Sequence, residues 1–84
     1  MENSSFKDLL DLSYQWPDYY EFKFIVKSED LNHCLALLPD CTVHETPSKN
    51  GNFVSISARK LINSTQEVIE IYQLMGSIKG IISL

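Results

Sequence analysis

The sequence predicts an α+β domain in which a four-stranded antiparallel sheet carries two helices on one face. Three observations predict it. Apolar and polar side chains alternate with period two through residues 19–27 and again through 53–59, the pattern of strands with one buried face. Between and after these stretches the period changes to that of a helix, once behind Ser28 and once behind Ser64. A Pro- and Gly-bearing segment at 47–52 separates two strand-like runs and predicts a hairpin.

Taken in order, residues 1–18 form an N-terminal arm. Phe6, Leu9, Leu10 and Leu12 give it a weak helical spacing, and Pro17 stops a long helix. Its apolar side chains need a surface, and packing of Leu9, Leu12 and Trp16 against the rest of the chain supplies one. In residues 19–27 Tyr20, Phe22, Phe24 and Val26 point one way, while Glu21, Lys23, Ile25 and Lys27 point the other. Ser28 is placed to cap a short helix whose first turn holds Glu29 and Asp30, the charge preferred at a helix start. Leu31, Leu35 and Leu38 make its apolar stripe, and Pro39 ends it.

A second strand is predicted over residues 41–45, bounded by Pro47, and a third over 53–59, where Val54, Ile56 and Ala58 face inward. Ser64 followed by Glu67 is a capping box, and Val68, Ile71, Tyr72 and Met75 continue it as a helix over 65–75 that exits at Gly76. Residues 78–84, with Ile81 and Ile82, suit a last strand interrupted by Gly80. The order strand, helix, strand, strand, helix, strand is the ferredoxin-like βαββαβ topology over residues 19–84. It leaves one sheet face without a helix of its own.

An 84-residue chain has room for one core. A hydrophobic share of 44% excludes intrinsic disorder. The net charge of −4 gives a global field that repels phosphate backbones, so nucleic acid is a disfavoured partner. The most apolar stretch, 61–84, is broken by Glu67, Glu70 and Lys79, which argues against a membrane span. The opening Met1-Glu2-Asn3-Ser4-Ser5 has no basic segment followed by an apolar run, so a cytoplasmic location is expected, with Cys34 and Cys41 as reduced thiols.

The segment Leu9-Leu10-Asp11-Leu12 before an aromatic first strand, the run Pro47-Ser48-Lys49-Asn50-Gly51-Asn52-Phe53-Val54-Ser55-Ile56-Ser57, and the tail from Gln66-Glu67-Val68 to Leu84 together resemble the YbeD-like family of small bacterial proteins. The resemblance extends over nearly the whole domain. It implies a ferredoxin-like fold reminiscent of the regulatory ACT domains of amino-acid metabolism, and with it a regulatory role.

The soft-ligand residues are His33, Cys34, Cys41 and His44; Cys41-Thr42-Val43-His44 has superficially ligand-like spacing, but the CxxC or second tight pair of a zinc site is missing. No nucleophile has a base and an orienting third group in prospect, because His33 leaves a helix in a different direction from Cys34. The expectation is a protein that is not an enzyme and carries no metal or cofactor. Two surfaces remain as candidates. The turn Ser48, Lys49, Asn50, Gly51 and Asn52 offers amides, a hydroxyl and an ammonium to an anion or a small polar metabolite. The helix-free sheet face presents Lys23, Ile25, Lys27, Phe53, Ser55, Ser57 and Arg59, where Ile25 and Phe53 can be buried by a protein partner inside a charged rim. Trp16 either anchors the arm or joins that interface. The function expected is a regulatory or interaction module that binds another protein or itself, with a small metabolite as a further ligand. The alternative is a nucleic-acid-binding module that uses the same open face.

Overall fold

A computed structural model describes the backbone of residues 2–84 and the side chains from Ser5 onward. The elements are α1 (Glu2–Ser13), β1 (Asp18–Lys27), a 3-10 turn (Ser28–Asp30), α2 (Leu31–Ala36), β2 (Thr42–Pro47), β3 (Phe53–Ile62), α3 (Thr65–Met75) and β4 (Ile82–Ser83). The sheet order is β2-β3-β1-β4 and every neighbouring pair is antiparallel. This is the ferredoxin-like α+β sandwich, preceded by one additional helix.

The register explains the core. Phe22 lies opposite Ala58, Phe24 opposite Ile56 and Val26 opposite Val54, and all six side chains are buried on one face. Cys34 and Leu38 cover that face from the α2 region, and Val68, Ile71 and Met75 cover it from α3. Phe22 and Phe24 are completely inaccessible, so each contributes up to about 3 kcal/mol of hydrophobic stabilisation.

Ser64 caps α3 as the capping box predicts, while the return bond of Glu67 goes to the residue before the cap. Ser64 Oγ accepts the Glu67 N–H at 3.2 Å. Glu67 returns its carboxylate to the Asn63 N–H at 2.9 Å and to Lys60 Nζ at 3.0 Å, closing the helix start onto the end of β3.

Four expectations need correction. In the arm, Leu9 and Leu12 are exposed, at 60% and 87%, while Leu10 is buried. A helix can turn only one stripe inward, and the stripe Phe6, Leu10 and Tyr14 wins because it puts rings on rings. Phe6 meets Tyr72 edge-on at 5.8 Å, and Tyr14 stacks on Trp16 at 4.8 Å. Ser28 does not cap α2, whose start lacks any side-chain cap. Its hydroxyl instead donates to the Gly51 carbonyl, and its N–H donates to Asn52 O at 2.9 Å.

Within α2 it is Cys34, four residues before Leu38, that is fully buried, while Leu35 is only half-buried. Leu31 and Leu38 pack on the core as the stripe predicts, and Cys34 takes the place between them. The last strand is confined to Ile82–Ser83, because Gly80 sits at φ +79° in the turn before it and Ile78 drops into the core.

Candidate functional site

The cross-strand register sets out the helix-free face in rows. Ile25 lies opposite Ser55 and beside Ile82, and Ser55 in turn faces Thr46. On one side of this row Lys27 faces Phe53. On the other, Lys23 faces Ser57 and Ser57 faces His44, followed by Glu21, Arg59 and Thr42. Side chains directly opposite one another share a face, so the residues that alternation assigns to this surface do lie together on it.

Two of the sequence-derived surfaces meet at one place. Ile25, Thr46, Pro47, Ser48, Phe53 and Ser55 line a shallow, mostly apolar depression of about 410 Å³. The half-buried Ile25 forms part of its wall, and Phe53 (42% exposed) and Ile82 (51% exposed) stand beside it on the same face. Thr46, Pro47 and Ile82 are absent from the sequence-derived candidates. Counting the β2–β3 pairs back from the turn places Thr46 opposite Ser55, and that count was the available signal.

The face differs in charge from the rest of the molecule. Its strands contribute Lys23, Lys27 and Arg59, all exposed, against one carboxylate, Glu21. Glu21 accepts a hydrogen bond from the Ser57 hydroxyl, and the Arg59 guanidinium lies 4.3 Å from the centre of the Tyr19 ring. An acidic protein thus carries a locally basic, partly apolar surface.

The turn is closed on itself. Ser48 N–H donates to Phe53 O at 2.8 Å, Gly51 N–H to Ser48 O at 3.0 Å, and Phe53 N–H to Ser48 Oγ at 3.1 Å. Asn50 Oδ1 accepts from both Ser48 Oγ and the Asn52 N–H. Gly51, at φ +75°, makes this geometry accessible. These donors are occupied before any ligand arrives, and Ser28 clamps the whole turn to the end of β1. Lys49 is exposed at its tip.

The thiols and imidazoles do not converge. Among the described residues no group of three or more His, Cys, Asp or Glu side chains could hold a metal ion. Cys34 is buried and Cys41 half-buried, both as free thiols. Burial pushes the Cys34 thiol up to about 11 and raises Cys41 as well, the reverse of what a nucleophile needs. Desolvation, followed by the hydrogen bond with Tyr20, likewise raises the Tyr72 phenol. No described helix is long and apolar enough to cross a membrane.

Trp16 is engaged elsewhere. Its indole N–H donates to Thr65 Oγ1 at 2.8 Å, and the Thr65 hydroxyl in turn donates to Asp11 Oδ1 at 2.6 Å. The side chain is half-buried on the helical side of the molecule, away from Ile25 and Phe53.

No protein-family model, curated protein or solved structure matches this chain.

Proposed function

We propose that this chain is a non-enzymatic interaction module that binds a protein through its open sheet face. The observation that carries the proposal is the apolar depression at Ile25, Phe53 and Ser55, set between the exposed Lys23 and Lys27 on a face that no helix covers. A partner would bury the apolar centre and leave the cations as a solvated rim, the usual anatomy of a protein contact. This reading includes a cytoplasmic setting, and the YbeD-like and ACT-like resemblance adds a regulatory role to it. A small polar metabolite at Ser48–Asn52 is the secondary ligand of the proposal. Several of the turn's donors are already bonded within it, so the face ranks above the turn.

Nucleic-acid binding is the second reading, favoured by one observation. Tyr19 and Phe53 are both exposed on the face that gathers Lys23, Lys27 and Arg59, a combination that suits base stacking beside phosphate contacts. The Tyr19 ring is already covered by Arg59, which leaves Phe53 as the open platform.

The two readings separate in one experiment. The wild type, Ile25→Asp and Phe53→Asp are captured gently from cells, and the retained protein and RNA are measured for each. Loss of a stoichiometric protein with RNA unchanged supports the protein contact. Loss of RNA with the assembly intact supports the second reading.

A further inference from the structure

Helix α1 has two apolar stripes and uses only one of them. Phe6, Leu10 and Tyr14 turn inward, whereas Leu9 and Leu12 remain 60% and 87% exposed. Asp8 is exposed as well and lies one turn before Leu12, so the outer face of α1 is a pair of leucines with a carboxylate beside them. The neighbouring charges Lys7 and Asp11 neutralise each other at 3.2 Å. Two solvent-facing leucines on a short helix are a cost for an isolated domain and a resource for a bound one.

The open sheet face is the counterpart in charge and shape. Its apolar centre, Ile25 with Phe53 and Ile82, has Lys23 and Lys27 two residues to either side along β1, about 7 Å away in each direction. Of the described acidic side chains only Glu21 lies on this face, and Ser57 holds it. Four strands are about 19 Å across, and a helix of 12 residues is about 18 Å long. The two surfaces lie on opposite sides of the molecule, since α1 packs against α3 and Leu10 joins the core from the helical side. One copy therefore cannot satisfy both by itself.

We propose that the chain associates with itself head to tail, the outer face of α1 in one copy docking on the open sheet face of the next. Leu9 and Leu12 enter the region of Ile25 and Phe53, and Asp8 meets Lys23 or Lys27. Such a contact is heterologous, so it propagates into a ring or a chain of copies. This rests on the open face being an interaction surface and names its occupant as a second copy.

Sedimentation velocity on the purified full chain tests it, using two variants made at exposed positions so that the fold is kept. One is the double change Leu9→Ser and Leu12→Ser; the other is Lys23→Glu with Lys27→Glu. Circular dichroism confirms that both are folded. The wild type is expected to grow in mass with concentration, and each variant alone to remain at 9.6 kDa, with self-affinity weakened at least tenfold. Their equimolar mixture is expected to form a 1:1 dimer and nothing larger, because it contains one intact helix face and one intact sheet face.

A wild type that stays monomeric at millimolar concentration overturns the proposal, as does a mixture that stays monomeric. Assembly lost in the lysine variant but kept in the leucine variant overturns the helix pairing and leaves the open face as the interaction surface. Assembly that survives both variants overturns the role of the face in self-association too.

Discussion

Trp16 donates its indole N–H to the hydroxyl of Thr65 at 2.8 Å across a separation of 49 residues. Thr65 is the one buried polar side chain among the described residues, and it relays the contact to Asp11 at 2.6 Å. The start of α3 therefore holds both the end of α1 and the linker that follows it. This fixes the arm on the helical side and keeps it off the open sheet face.

Thr65→Val tests that anchor. The substitution preserves shape but leaves the half-buried Trp16 N–H without its acceptor, at a cost of about 1–3 kcal/mol. Urea unfolding followed by tryptophan fluorescence is expected to show the lower midpoint. The near-ultraviolet dichroism of the stacked Tyr14 and Trp16 rings is expected to weaken with it.

The capping box gives a second prediction. Ser64→Ala removes the acceptor of the Glu67 N–H and is expected to destabilise the protein by about 1 kcal/mol, read from the urea midpoint.

Glu67 sets a pH dependence. The hydrogen bond from the Asn63 N–H, followed by that from Lys60, holds its carboxyl below the ordinary value of 4.5. A depressed folded-state value stabilises the protein above the unfolded value, and the contribution is lost as pH falls through the folded value. Glu67→Gln is therefore expected to cost stability at pH 7 and progressively less as the pH is lowered below 4.5. Parallel urea titrations of both proteins at several pH values measure the difference.

Gly51→Ala probes the turn. Its φ of +75° strains any other residue, yet an added Cβ would meet nothing within 4 Å. The expected cost is the backbone strain alone, about 1–2 kcal/mol, with the sheet register preserved in amide spectra.

Cys34 carries the chemical prediction. With its thiol raised to about 11 by burial, it is expected to resist a thiol reagent at pH 8 until the protein unfolds. Modification faster than that of an unfolded control would reopen a nucleophilic role.

Much of the sheet was legible because alternation depends only on which side of a strand is buried. Phe22, Phe24 and Val26 against Val54, Ile56 and Ala58 follow from period two and a hairpin. The α3 start followed from a local motif that forms the same bonds in most contexts. The arm was misread because Leu9, Leu10 and Leu12 are equal in hydrophobicity, and the choice between stripes depends on Tyr72 and Tyr20, which are distant in sequence. Ser28 was misread for a related reason: its hydroxyl finds the Gly51 carbonyl across the fold before it finds a helix amide. At the candidate site the strand residues were placed by alternation. The depression itself was not, because it needs the β2–β3 register to bring Thr46 and Pro47 beside Phe53.

Hydroxyl-radical footprinting tests the open face most directly, with the protein labelled once in concentrated extract of its own cells and once purified and dilute. Phe53, 42% exposed on the sheet face, and Leu74, 51% exposed on α3, serve as the reporter and its control. A contact through the open face predicts that Phe53 is protected in extract while Leu74 reacts equally in both. Equal oxidation of Phe53 under the two conditions, or protection confined to Leu74, would contradict it.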